Sequence, residues 1–196
     1  MWNDIVMPNP RDAITSAELA RLIGERVRGL RVARGWSLSS LAARAQLGKA
    51  TLSQIESGNR NPTIETLYAI AAQLQIGLSE LLTESGSAPA AAPTVRGKAV
   101  EATLVAAYDD AAFTTEIYRL RIRPGRTQVS PGHGPGVVEH LLVTAGAIRV
   151  GPVEQPSEVS AGADVIWEPT GPHSYAAVGD AQAEAVLVMR HPRLRG

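Results

Sequence analysis

The chain has 196 residues, enough for one large domain or two small ones. Its 19 Lys and Arg residues balance 19 Asp and Glu residues, and 44% of its residues are hydrophobic, a composition typical of soluble globular proteins. The absence of cysteine excludes disulfides and thiolate metal sites. Because neither a long apolar run nor a signal peptide is recognisable, we expect a cytoplasmic protein with no membrane partner.

The chain begins with a segment, residues 1–16, that contains Pro8 and Pro10 and shows little hydrophobic periodicity. Proline interrupts regular structure, and the apolar residues of this segment are not spaced to form a buried face. We therefore expect a flexible N-terminal tail.

Residues 36–58 have the pattern of two short amphipathic helices joined by a tight turn. The apolar residues of the first helix are Leu38, Leu41, Ala42 and Ala45. Their steps of three and four residues place them on one helix face, and Ser37 precedes them where its hydroxyl can accept a backbone N–H. After a turn at residues 46–48, Leu52 and Ile55 continue the apolar face on the second helix, which ends at a glycine.

The second helix also has a polar face that points away from the apolar one. Between residues 21 and 60 the basic residues outnumber the acidic ones by eight to two. The basic residues are Arg21, Arg26, Arg28, Arg31, Arg34, Arg44, Lys49 and Arg60, and the acidic ones are Glu25 and Glu56. This local surplus favours contact with DNA phosphates. On spacing alone, the alternative is an amphipathic helical bundle that does not contact DNA.

The stretch from residue 22 to residue 82 resembles the helix-turn-helix domain of phage-repressor-like (XRE family) transcription regulators. The resemblance implies an all-α domain of five helices over residues 17–83, with a Ser-Gly-Asn-Arg-Asn-Pro link after the third helix. The implied inward residues are Ile23, Val27 and Leu30 in the first helix and Ile64, Leu67, Ile70, Ala71 and Leu74 in the fourth. Thr63 would cap the fourth helix, and a short fifth would span residues 78–82. The chain departs from the family in having Gln46 where the turn often has Gly, and Gly48 where Ser or Thr often caps the third helix.

The resemblance also implies which residues contact DNA. The implied DNA-binding set is Ser37, Ser39, Lys49, Ala50, Thr51, Ser53, Gln54, Arg60 and Asn61. Base reading falls to the exposed start of the third helix, where Gln54 would pair with an adenine edge and Lys49 with guanine. Ser37, Ser39 and the Arg60-Asn61 pair would hold phosphates.

One such domain contacts few base pairs, so we expect a homodimer that reads a palindromic operator in double-stranded DNA, with half-sites about 34 Å apart. Residues 1–16 would then be either a tail or an arm in the minor groove.

Residues 84–97 consist mainly of small residues, with two prolines and nothing large to bury, which predicts a linker. Beyond it the hydrophobic pattern alternates: Tyr118, Leu120 and Ile122 are separated by arginines, and a Pro-Gly turn follows. Further short apolar stretches lie at 137–143, 147–150, 164–167, 174–178 and 185–190. Many short strands predict an antiparallel sandwich or barrel over residues 98–196.

Two segments of this half resemble the signature motifs of the cupins, which are small double-stranded β-helix barrels. Gly125, His133, Glu139 and Gly146 fall on the first motif, and Gly162, Pro169, Gly171 and His173 fall on the second. In the cupins that this half resembles, three histidines and a glutamate hold a divalent ion. Here one histidine is replaced by Pro131 or Pro135, depending on the alignment, and Ala177 takes the place of the final Asn of the second motif.

The resemblance leaves His133, Glu139 and His173 as a possible metal set, because two histidines and a carboxylate suit a divalent ion. The alternative is that these residues hydrogen-bond an organic effector. His140 cannot supply the missing ligand, because neighbouring residues of a strand point to opposite faces. Phe113, Tyr118, Trp167 and Tyr175 are large rings available to the barrel, and two or more of them are expected in the core.

The two resemblances together imply a sequence-specific transcriptional regulator, a repressor by analogy, and not an enzyme. Its barrel would sense an unknown small-molecule effector in a pocket lined by His133, Glu139, Trp167, His173 and Tyr175. Two alternatives remain: a cupin metalloenzyme of the isomerase or dioxygenase type fused to a DNA-binding domain, and a barrel that serves only dimerisation. The incomplete ligand set argues against the enzyme.

Overall fold

A computed structural model describes residues 15–83 and 92–193. A helical domain precedes a β domain. The helices are α1 (Ser16–Ala33), α2 (Leu38–Arg44), α3 (Lys49–Glu56), α4 (Ile64–Leu74) and α5 (Ser79–Leu82). The strands are β1 (Thr94–Arg96), β2 (Val100–Asp109), β3 (Phe113–Ile122), β4 (Thr127–Ser130), β5 (Val138–Ala145), β6 (Ala147–Pro152), β7 (Ser157–Ser160), β8 (Asp164–Trp167), β9 (His173–Ala177) and β10 (Ala183–Pro192).

Side-chain caps start three of the helices. The Thr15 hydroxyl accepts the Glu18 N–H while the Glu18 carboxylate accepts the Thr15 N–H, which is a capping box. Ser37 caps α2 and Thr63 caps α4, as the sequence predicts. Helix α1 thus begins at Ser16, one residue before the predicted domain start. The rest of the predicted tail lies outside the described residues.

The helical core forms where α1 crosses α3. Ile23, Val27, Leu52 and Ile55 are buried as predicted, whereas Leu30 is half-buried. The helices approach so closely that a Cβ added at Gly24 would lie 2.3 Å from the Ile55 carbonyl oxygen. A glycine is therefore required at this crossing.

The predicted turn between α2 and α3 is present, although its sequence departs from the family pattern. Gln46 adopts the left-handed conformation, with φ of 55°. Gly48 stands at the N-cap of α3 without a side chain to cap it. Helix α3 ends at Glu56, and the expected stop residue, Gly58, follows its C-cap with a φ of 71°. The Gly58 N–H donates to the Ile55 carbonyl, and Asn59 donates to the Gln54 carbonyl.

The β domain consists of two antiparallel sheets with a common hydrophobic core. One sheet has the order β1-β2-β3-β10-β5-β8, and the other has β4-β9-β6-β7. Along β3, Tyr118, Leu120 and Ile122 point inward while the arginines between them are exposed, as the alternation predicts. The predicted antiparallel β domain is confirmed, in the form of two sheets whose hydrogen bonding does not close into a barrel.

The segment between the domains is shorter than the sequence predicts. Residues 94–96 form strand β1, which pairs with β2 and buries Val95. A strand of three residues is too short for its alternation to stand out beside prolines and alanines. Residues 84–91 lie outside the described part of the chain.

The two domains pack directly on each other. The Tyr68 hydroxyl on α4 donates to the Met189 sulfur on β10 at 3.3 Å, and the backbone N–H of Ser79 donates to the Glu116 carboxylate on β3 at 2.7 Å. None of the described helices is long and apolar enough to span a membrane.

Candidate functional site

The first candidate surface is the exposed side of α3. Lys49, Ala50, Ser53 and Gln54 are exposed, and Thr51 is half-exposed, while Leu52 and Ile55 hold the helix to the core. The exposed residues therefore share one side of a helix that is fixed from behind. This is the geometry that a major-groove reader needs.

The residues predicted to hold phosphates flank α3. Ser39 and Arg60 are exposed. The Ser37 hydroxyl accepts the Ser40 N–H, and the Asn61 amide donates to the Ser16 hydroxyl at 2.7 Å, so both also have a structural task. Their contact with DNA stays a prediction.

Arg31 belongs to the scaffold of the helical domain and not to its positively charged surface. Its guanidinium donates two hydrogen bonds of 2.7 Å to the Glu56 carboxylate and one of 2.8 Å to the Trp36 carbonyl. Arg31 and Glu56 are 12% and 8% exposed. The pair therefore removes one positive and one negative charge from the exposed surface, so the excess of basic over acidic residues there is unchanged.

The second candidate site lies between the two sheets. Its ligand-type atoms come from His133 in the loop before β5, Glu139 on β5 and His173 on β9, and they lie within 4.8 Å of one another. His133 Nε2 is hydrogen-bonded to Glu139 Oε1 at 2.9 Å, and the Tyr175 hydroxyl donates to Glu139 Oε2. The sequence-predicted pocket residues are thus brought together around one buried carboxylate.

The surroundings of Glu139 determine its charge. Burial by itself would raise the pKa of Glu139, but the hydrogen bond from His133 and the nearby His173 lower this pKa to about 2. Burial, followed by the charge of Glu139, raises the pKa of Tyr175, so its hydroxyl remains a donor. A fixed negative charge therefore lies at the centre of the pocket.

The residues present fit a divalent ion held by three protein ligands. His173 Nε2 is buried and, among the described residues, has no hydrogen-bond partner, although it lies 3.5 Å from Glu139 Oε1. A buried nitrogen without a partner is costly unless a ligand satisfies it. His140 is exposed and hydrogen-bonds Asp164 at 2.9 Å, on the opposite face as predicted.

The large rings divide between pocket and scaffold. Trp167 is half-buried, and its ring centroid lies 6.2 Å from that of Tyr175 and 6.5 Å from that of His173. Tyr118 is fully buried in the core. Phe113 lies under the Arg190 guanidinium at 4.1 Å. Trp167 and Tyr175 are therefore the rings beside the candidate metal ligands.

The sequence reasoning missed a second buried carboxylate, Glu116. It accepts hydrogen bonds from the Tyr118 hydroxyl at 2.9 Å and from the Ser79 N–H, and His191 Nε2 lies 3.3 Å away. It also missed Tyr68, whose ring centroid is 4.8 Å from that of His133. A signal existed for Glu116, which lies two residues before Tyr118 on the inward face of the alternating strand.

Comparison with known proteins agrees with this architecture. The helix-turn-helix family HTH_3 matches residues 27–81. The HTH-type transcriptional regulator SutR of Escherichia coli is 29% identical over 175 residues, which cover 89% of this chain and 98% of that protein. The transcriptional regulator ClgR of Mycobacterium tuberculosis is 33% identical over 94 residues, which cover 45% of this chain and 84% of that protein.

Among solved structures, a crystal structure of an HTH_3 family transcriptional regulator from Vibrio cholerae is similar over both domains. Its TM-score is 0.75 at 28% identity, and the match covers 91% of this chain and all of that one. The order of a helix-turn-helix domain followed by the β domain is therefore shared with a known regulator.

Proposed function

The chain belongs to the HTH_3 family of helix-turn-helix transcriptional regulators, and we propose that it is a sequence-specific repressor whose β domain senses a small molecule. The observation that carries the sensing role is the contact between the domains at the pocket. His133 hydrogen-bonds Glu139 inside the β domain and packs against Tyr68 of the helical domain. A ligand that moves His133 therefore acts directly on α4. The names of the relatives favour regulation over the metalloenzyme alternative.

The DNA-reading role is assigned to the exposed residues of α3, with Gln54 as the base reader. Once selection from random DNA has defined the operator, fluorescence anisotropy on single-base variants tests the assignment. Gln54→Ala should lose discrimination at one base pair of each half-site, worth about 1–3 kcal/mol, and keep its affinity for unrelated DNA. Gln155→Ala, which removes an exposed glutamine from the β domain, is the matched control. An equal loss on every sequence would contradict base reading by Gln54.

The sign of regulation is tested by transcription in vitro from a promoter that contains the operator. Added protein should reduce transcript from that promoter and leave a promoter without the operator unchanged. An increase in transcript would show that the protein is an activator.

A homodimer is proposed through the outer face of the larger sheet. Apolar residues on its outer face come from β3, β10, β5 and the edge strand β8, where Val186 pairs with Leu142 and Val188 with Ile117. They are Ile117, Leu142, Ile166, Val186 and Val188. Leu142 and Ile166 are 42% and 60% exposed. An antiparallel sheet normally turns polar residues outward, so these apolar residues, which lie among Arg119, His140 and Asp164, fit a partner surface.

Sedimentation velocity at micromolar concentration tests the dimer. The wild type should sediment as a dimer and Leu142→Asp as a monomer. Val153→Asp is the control, since Val153 is equally exposed but lies at the turn between β6 and β7. A monomeric wild type, with and without DNA, would remove the basis for a palindromic operator.

As a second candidate function, a divalent ion at His133, Glu139 and His173 is favoured by the unpartnered His173 Nε2. Bound there, an ion would supply a Lewis-acidic contact for an effector oxygen or nitrogen. Elemental analysis of purified protein should find a metal that the His133→Ala/His173→Ala variant lacks. His140→Ala is the matched control, because His140 lies on the opposite face. Metal content unchanged by the double substitution would exclude this site.

A further inference from the structure

We propose that a small organic anion with an apolar body, such as a carboxylate, binds in the cleft between the helical domain and the β domain. The proposal deepens the sensing function proposed above and rests on it. The cleft has a volume of about 500 Å³, which lies in the range of small-molecule pockets. One wall is formed by the ends of α1 and α4 and by the start of α5. The other is formed by the start of β3, the loop before β5 and the end of β10.

Two arginines supply the anion-binding chemistry from opposite walls. Arg34 lies just after α1, and its guanidinium donates to the Leu30 and Leu74 carbonyls. Arg193 follows β10 and lies 3.6 Å from Asp109. A guanidinium has five N–H donors in a planar fork, so each arginine keeps donors for a carboxylate after these contacts.

The remaining lining favours an anion with an apolar body. The half-buried Ile76 and Pro192 provide apolar surface, and the buried Leu74 and Val137 lie directly behind it. Glu80 also lines the cleft, but burial and the neighbouring Asp109 raise the pKa of its carboxyl, which weakens its opposition to an anion. Among the residues that line the cleft, Arg34 and Arg193 are thus set against one carboxyl whose ionisation is disfavoured, while Asp109 offsets part of the charge of Arg193 from outside the lining.

The floor of the cleft connects the ligand to the interdomain contacts. His133 and His191 line it, and behind them lie the buried carboxylates of Glu139 and Glu116. Glu116 also accepts the Ser79 N–H at the start of α5. One wall belongs to the helical domain and the other to the β domain. A bound ligand therefore favours the domain arrangement in which both walls contact it. In a dimer, this arrangement sets the spacing of the two α3 helices. The exposed residues of α3 do not line the cleft, so the ligand would act without blocking the DNA surface.

Calorimetric titration of the full chain without DNA tests the proposal. The probes are hexanoate, benzoate and phenylacetate, each paired with its neutral amide. At least one carboxylate should bind, and its amide should bind at least tenfold more weakly. Arg193→Gln should weaken carboxylate binding at least tenfold, and Arg34→Gln should do the same. Arg119→Gln, on the outer sheet face, should leave binding unchanged.

Three results would overturn the cleft proposal. They are no binding by any of the carboxylates at millimolar concentration, equal binding of acid and amide, and binding that is kept in both cleft arginine variants but lost in His173→Ala. The third result would place the ligand beside Glu139 instead. Because the titration contains no DNA, a failure of operator recognition is detected separately by the anisotropy experiment.

Discussion

The two domains arrange their functional side chains in opposite ways. In the helical domain, the residues that face solvent on α3 are distinct from those that hold the fold, such as Gly24 and Arg31. In the β domain, the candidate ligand-binding residues are themselves buried, and Glu139 is 1% exposed and hydrogen-bonded on both oxygens. The proposed DNA-binding surface can therefore change its specificity without loss of stability. The pocket cannot change its chemistry so freely, because each of its residues also supports its neighbours.

The largest stability effect is expected where the scaffold of the helical domain contains the partly buried Arg31–Glu56 ion pair. Arg31→Ala leaves the largely enclosed Glu56 carboxylate without its partner and two charge-assisted hydrogen bonds, and should lower the free energy of unfolding by about 3 kcal/mol. Arg21→Ala breaks an exposed pair with Glu25 and should cost less than about 1 kcal/mol. Urea unfolding followed by circular dichroism measures both. Similar losses of unfolding free energy in the two variants would show that the greater burial of the Arg31 pair does not increase its contribution to stability.

A second scaffold test uses two glycines of the same helix. Gly24→Ala places a Cβ against the backbone of α3 and should destabilise the protein by about 2–3 kcal/mol. At Gly29, within the described part of the chain, nothing lies within 4 Å of the added Cβ. Gly29→Ala should therefore stabilise α1 by about 0.5–1 kcal/mol. Thermal unfolding should move in opposite directions for the two variants. A shift in the same direction would mean that the α1–α3 crossing adapts to a larger residue.

In the β domain, one substitution should affect stability and the pocket together. Tyr175→Phe removes the hydroxyl that donates to Glu139 and should cost about 1.5–3 kcal/mol, because the lost hydrogen bond is to a buried charged group. Tyr108→Phe is the control, since the Tyr108 ring is 63% exposed. Urea unfolding compares the two. Equal stability of both variants would contradict the view that the pocket residues are also structural.

The same contrast between the two domains explains how much of the structure could be predicted from the sequence. Ser37 and Gly58 act within a few residues of themselves, so the limits of α2 and α3 could be predicted from local chemistry. The spacing of the two motifs in the β domain also predicted that His133, Glu139 and His173 lie together. The Ser79–Glu116 hydrogen bond joins residues 37 positions apart on different domains. It depends on how the domains pack, and no local pattern contains that information.

The smallest effect is expected in the turn before α3, where the chain departs from its family. Gln46 holds a left-handed conformation that costs a residue with a Cβ about 1 kcal/mol and costs glycine little. Gln46→Gly should therefore stabilise the protein by up to about 1 kcal/mol, reduced by the greater flexibility of glycine in the unfolded chain. The proposed reading residues on α3 are untouched, so operator specificity measured by anisotropy should stay the same while the midpoint of urea unfolding rises. A change in specificity would show that the turn also positions α3, and that scaffold and reading surface are not separate sets in this domain.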